Sequence, residues 1–196
     1  MKRMLHIVSA PRRAAASPLL CFLHGYGEAA PMPIDRALRL HGPLATSAAA
    51  LATREFIIVT PQLRVAGDSW ARHADEVRAI VDEAGAQHGV DAGRMYLTGF
   101  SYGGNGVFDL ALAQPDVWTA LWPVDPTRVP RKAPAQPLWL SAGAIARPQR
   151  QAFVRALKLG THERVWADDG EDHVGSARVA YGDERIYRWL LGFAKA

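Results

Sequence analysis

Cysteine is almost absent: Cys21 stands alone among 196 residues. An internal disulfide framework and a cysteine-based zinc site are therefore excluded. The neighbours Leu19, Leu20, Phe22 and Leu23 predict that Cys21 itself lies in a buried strand. No apolar run approaches the roughly 18–20 residues of a membrane span, so no membrane partner is expected. His, Asp and Glu do not gather at metal-ligand spacing, and no glycine-rich loop of phosphate-binding type occurs. Neither a metal, a nucleotide nor any other cofactor is expected. Internal repeats and inter-domain linkers are missing too. Acidic residues are lacking throughout the stretch from Pro126 to Gly160, an absence that bears on the chemistry below.

Excess charge is also small. The formal net charge is +4, from 23 Lys and Arg against 19 Asp and Glu. The arginines run from Arg3 to Arg188, interleaved with acids. The densest basic group, Arg128, Arg131 and Lys132, sits in a proline-rich excursion without interleaved aromatics, so nucleic acid is not an expected partner. Arg12 and Arg13 precede an apolar run at 18–23, as an export signal would begin. That run is shorter than the roughly 7–15 residues of a signal core, and His24-Gly25 follow where small residues should stand. A cytoplasmic location is expected. With 49% hydrophobic and 21% charged residues, and ordinary use of Gly (17) and Pro (13), disorder and low complexity are excluded. The length fits one domain over residues 1–196, able to bury about 70% of its unfolded surface.

What is present is an alternation of short apolar runs with longer segments of helical period, the pattern of a mostly parallel sheet covered by helices on both faces. Strands are predicted at 4–8, 19–23, 56–60, 94–98, 117–122, 138–141 and 164–167. Helices are predicted at 43–52, 70–88, 101–113, 149–159 and 183–194. The clearest lies within 70–88, where Val77, Ile80, Val81 and Ala84 share one face and Gly89 supplies a terminator.

Gly99-Phe100-Ser101-Tyr102-Gly103 carries the chemistry. It joins a predicted strand to an apolar-periodic helix. A serine on so sharp a turn is lifted above the sheet edge, and small residues two before and two after let the backbones approach. The helix N-terminus below it favours an oxyanion. A second turn, His24-Gly25-Tyr26-Gly27, follows the strand at 19–23. Acyl transfer needs two donors aimed at the developing oxyanion, and the N–H groups of Tyr102 and Tyr26 are the candidates. His24 is expected to support its loop rather than act as a base. Trp70, Trp122, Trp139 and Tyr102 are candidates for lining a pocket, Trp70 foremost for substrate binding. His73 is expected to face solvent.

HGYG, GFSYGG, the segment from Val90 to Thr98 and the ending Tyr187-Arg188-Trp189-Leu190 together resemble the small carboxylesterase/phospholipase and dienelactone-hydrolase branch of the α/β-hydrolases. The resemblance runs from about Leu19 to the C-terminus and implies a minimal, lidless α/β-hydrolase fold. It also implies the order nucleophile, acid, histidine. Of the two histidines after Ser101, His162 precedes the last strand and His173 follows it, so His173 is the expected general base. The substrate implied is a small-molecule carboxylic ester of short acyl chain, and the oligomeric state is open.

The acid departs from that pattern. The family supplies it just after the penultimate strand as Gly-x-x-Asp, whereas this chain reads Gly143-Ala144-Ile145-Ala146. Asp125, at the end of the preceding strand, is the favoured substitute. Asp168, Asp169 or Glu171, from the histidine's own loop, are the alternatives, with Asp172 the least favoured. A third possibility is that no acid exists and the chain is a non-catalytic binding or regulatory protein.

Overall fold

Seven apolar segments pair side by side into one sheet. The computed structural model describes residues 3–11, 16–159, 164–168 and 170–195. The strands are β1 (Leu5–Ser9), β2 (Ser17–Leu23), β3 (Ile57–Gln62), β4 (Val90–Phe100), β5 (Ala120–Val124), β6 (Trp139–Ala142) and β7 (Arg164–Ala167). Their order across the sheet is β1-β3-β2-β4-β5-β6-β7, with β1 antiparallel to β3 and every other pairing parallel. Parallel strands need both faces covered, and the helices do this. They are α1 (Ile34–Leu40), α2 (Ala50–Glu55), α3 (Ala74–His88), α4 (Tyr102–Ala113), α5 (Arg150–Leu157), α6 (His173–Gly182) and α7 (Glu184–Leu191).

The core divides as strand alternation demands. Leu19, Cys21 and Leu23 of β2 point to the face covered by Val77, Ile80 and Val81 of α3, Val107 and Phe108 of α4 and Phe153 of α5. Leu20 and Phe22 point to the opposite face, against Leu51 of α2, Ala177 and Tyr181 of α6, and Ile186, Tyr187 and Leu190 of α7. Burial raises the Cys21 thiol far above its ordinary value, which leaves it inert packing.

All seven strands lie where short apolar runs predict them, with shifted ends. β5 begins at Ala120 rather than 117 and extends to Val124, which brings Asp125 directly to the strand end. Helix 43–52 is corrected. Residues 43–49 form turns and only Ala50–Glu55 is helical, because Ala49 N–H is drawn to the Tyr181 carbonyl of α6 at 2.9 Å. Tertiary bonding there overrides the helix propensity of alanine. Two helices that the sequence left as loop, α1 and α6, flank the site described next.

Candidate active site

The parallel strands end along one edge, where the loops after β2, β4, β5 and β6 and the segment following β7 converge. At its centre, Ser101 caps α4 with φ 56° and ψ −115°. A non-glycine residue held there stores on the order of 1–3 kcal/mol, which only tight surroundings maintain. The flanking glycines supply those surroundings. A Cβ on Gly103 would collide with the carbonyls of Leu23 and His24, and one on Gly99 with the carbonyl of Gly103. Ser101 N–H is tied to the Val124 carbonyl at 2.9 Å, and its own carbonyl accepts the Asn105 N–H of α4 at 3.2 Å.

Three side chains meet here in a line. The Nδ1–H of His173 donates to Asp125 Oδ2 at 2.6 Å, which leaves Nε2 as the acceptor of the Ser101 hydroxyl at 2.7 Å. His173 is the first residue of α6, whose N-cap Asp172 accepts the Gly175 N–H at 2.6 Å. Phe100 packs against the imidazole with ring centroids 4.7 Å apart. The ring is thus fixed by the helix start, by the phenyl face and by the carboxylate.

Asp125 is fully buried and also has positive φ, 40°. Its charge is met by the loop after β6. Ala146 N–H donates to Oδ1 at 2.8 Å, and Ile145 N–H reaches Oδ1 at 3.1 Å and Oδ2 at 3.2 Å. Gly143 is needed for this approach, since a Cβ there would stand 2.7 Å from the Asp125 carboxyl carbon. The other acids are engaged elsewhere. Asp168 pairs with Arg147 at 3.0 Å, Glu171 with Arg178 at 3.2 Å, and Asp172 serves as the helix cap. Asp169 and His162 lie outside the described residues.

The loop after β2 is built around His24. Its Nδ1–H donates to the Gly25 carbonyl at 2.6 Å and its Nε2 accepts the Leu63 N–H at 2.9 Å. Both ring nitrogens are used and the ring is neutral, burial lowering it to about 4. Because the C=O and N–H of a trans peptide point opposite ways, this bond turns the Tyr26 N–H away from His24. Gly25 lies against Ser101, a Cβ on it being 3.5 Å from the serine Cβ. The Tyr26 ring is exposed and meets Tyr102 edge-on at 6.1 Å, while the Tyr102 hydroxyl donates to the Gly67 carbonyl at 2.9 Å. Tyr102 opens α4, so its N–H precedes any carbonyl within that helix.

Trp70 is buried, in a T-shaped contact with His24 at 5.1 Å and packed under Gly106. It forms one wall of a cavity of about 360 Å³ shared with Tyr102, Asn105, Asp109 and Arg128. Trp122 and Trp139 belong to the core. His73 does not face solvent: its side chain is 12% exposed and bonded to Asp68 at 2.7 Å. Sequence reasoning missed Glu28, a buried carboxyl beside the glycine loop, with Oε1 3.6 Å from His41 Nε2. Burial raises its pKa. Only its place four residues after His24 could have pointed to it. Among the described residues no cluster could hold a metal ion, and no helix is long and apolar enough to cross a membrane.

No family model matches the sequence, and no curated protein matches it either. Solved structures do. A thermostable esterase superposes with a TM-score of 0.77 at 19% identity, over 97% of this chain and 59% of that one. The chain thus spans about three-fifths of that esterase. The esterase Est2 from the Planctomycetes species Thermogutta terrifontis gives 0.67 at 15% identity, over 95% of this chain and 86% of its own. Est1E from Butyrivibrio proteoclasticus gives 0.66 at 14% identity, over 95% and 94%. The fold is the α/β-hydrolase fold.

Proposed function

We propose that the chain is a serine hydrolase of carboxylic esters. The observation that carries this reading is the line Asp125–His173–Ser101, bonded at 2.6 and 2.7 Å, with its serine on a strained strand-to-helix turn. Esterase structures of the same fold support it. The alternative, a non-catalytic binding or regulatory protein, rests on Ala146, and the Asp125 carboxylate 2.6 Å from His173 favours the enzyme reading over it.

His173 Nε2 takes the Ser101 proton as Oγ adds to the ester carbonyl, and the carbonyl electrons move onto oxygen. Tyr26 and Tyr102 N–H groups hold that oxyanion, Tyr102 reinforced by the positive end of α4. Collapse breaks the bond to the alkoxide, which leaves as the alcohol with the proton returned by His173. Water then repeats the sequence, releasing the acid and restoring Ser101. Asp125 keeps the proton on Nδ1 and stabilises the imidazolium that forms twice per cycle. Trp70 and the 360 Å³ cavity beside Tyr102 supply room for a small acyl group.

A fluorophosphonate probe tests this directly. The wild type should become labelled at Ser101 and hydrolyse p-nitrophenyl acetate. Ser101→Ala should lose both, and His173→Ala should lose turnover. Hydrolysis that survives in Ser101→Ala, or a folded wild type that neither labels nor turns over, would refute it.

A further inference from the structure

We propose that the cleft between the end of α1 and the outward side of α6 is the subsite for the alcohol part of the ester, and that it selects an uncharged, apolar alcohol. This rests on Ser101 and His173 acting as above. The cleft holds about 260 Å³; Leu40, Ala45, Val174 and Ala177 give it an apolar side, while His41, Thr46, Ser47, Arg178 and Tyr181 contribute polar groups. Pockets for whole drug-sized ligands begin at roughly 300 Å³, so this one suits a part of a substrate.

Its position decides which part. The departing alkoxide must take its proton from His173 Nε2, within roughly 3 Å, so the alcohol lies on the histidine side of the serine. Val174 follows His173 at the start of α6. On the other wall, His41 packs on buried Phe100 at 5.2 Å and Phe100 on His173 at 4.7 Å, which sets His41 two ring contacts from the imidazole. The cavity beside Tyr102 lies on the opposite face of the sheet, with α3 and α4, and is left for the acyl group.

Its chemistry decides the class. Leu40 and Val174 are 41% and 51% exposed, two of six large hydrophobic side chains that the described residues leave in solvent. Burying a substrate's apolar chain against them is favourable. Nothing in the cleft asks for a charge. Arg178 at its rim is paired with Glu171, and the Tyr181 hydroxyl is paired with Thr98 Oγ1 at 3.0 Å. Burial and then the neighbouring His173 lower the pKa of His41, whose Nε2 lies 3.6 Å from Glu28 Oε1.

Two ester series separate this subsite from the rest of the site. One holds the acyl group constant, from methyl to hexyl acetate. The other holds the alcohol constant, from ethyl acetate to ethyl hexanoate. Val174→Asp and Leu40→Asp should each lower the hexyl-to-methyl ratio of kcat/KM by about tenfold, and leave the hexanoate-to-acetate ratio within about twofold. Leu5→Asp, an equally exposed change on the edge strand β1, should move neither ratio. Turnover with both ratios falling together, or with neither moving, overturns the subsite and leaves the hydrolase reading intact. A wild type that hydrolyses neither series overturns both.

Discussion

Asp125→Asn is the most informative single change, because the geometry dictates how it fails. In the native site Oδ1 accepts the Ala146 N–H at 2.8 Å, while Oδ2 accepts His173 Nδ1–H at 2.6 Å. An amide offers one oxygen and one NH₂ group. If the oxygen stays beneath the loop amides, the NH₂ confronts Nδ1–H, and the imidazole must move its proton to Nε2. It can then no longer accept the Ser101 proton. If the amide turns over, the buried Ala146 N–H loses its acceptor, at about 1–3 kcal/mol, and the Ile145 N–H keeps only the oxygen at 3.2 Å. The first arrangement wins, so the protein should fold with the wrong tautomer. The expected loss in kcat is about 10⁴-fold, or about 5.5 kcal/mol of transition-state stabilisation.

The assay is initial-rate hydrolysis of p-nitrophenyl acetate at about pH 8, above the ordinary histidine range, with Tm measured on the same samples. Asp168→Asn and Glu171→Gln serve as controls, since both carboxylates are spent on arginines. They should leave kcat near the wild-type value, because both carboxylates bond arginines and not His173; only Glu171, in an exposed pair, should also leave Tm unchanged. Asp125→Asn retaining kcat within about tenfold of wild type, at an unchanged Tm, would refute the assignment. So would a collapse of kcat in Asp168→Asn alone.

Other changes test the backbone and the buried titrating groups. Gly103→Ala drives a methyl into the Leu23 carbonyl and should cost about 3 kcal/mol or more, whereas Gly27→Ala meets nothing within 4 Å and should keep wild-type stability in urea. His24 stays neutral in the folded chain down to about 4, while its unfolded form charges below 6.5. The unfolded state therefore binds the extra proton in that window, and stability should fall by about 3 kcal/mol as pH drops from 6.5 to 4. Glu28, raised by burial, pulls the other way. The His24 contribution is thus read as the difference between the wild type and His24→Asn, whose amide still donates to the Gly25 carbonyl. Equal slopes in the two proteins would contradict the neutral, doubly bonded ring.

Much of the fold could be read from local pattern, because a parallel sheet writes each strand as a short apolar run. The missed pieces are those in which pattern and context disagree. α1 has only Ala37 and Leu38 buried, too few to show a period. α6 begins at His173, and its start is set by the Asp172 cap rather than by an apolar stripe. The helix expected from residue 43 starts only at Ala50, since the bond from Ala49 N–H to the Tyr181 carbonyl keeps the residues before it in turns. In the site, glycine spacing revealed the turn at Ser101, because the glycines are required where the first turn of α4 closes on the ends of β2 and β4. The distance from His173 to Asp125 was not legible, since 48 residues separate them and only the packed sheet edge brings them together.

Gly143, Ala144, Ile145 and Ala146 explain how a hydrolase-like site tolerates the loss of an acid where the family places one. In the hydrolase branch that the sequence resembles, this loop bears the carboxylate. Here the loop holds the carboxylate instead: its side chain at 146 is a methyl, but its N–H groups grip the acid at the end of the neighbouring strand. The exchange is electrostatically economical, because a second carboxylate at 146 would be buried among the apolar residues of the core, its backbone already bonded to Asp125. A carboxylate buried there without a partner favours its protonated form. Ala146→Asp should therefore destabilise the fold by about 3 kcal/mol at neutral pH, with the loss shrinking as the medium is acidified and one carboxyl takes a proton. Urea unfolding at two pH values reads this out. Equal destabilisation at both would mean that steric crowding, and not charge, keeps the position small.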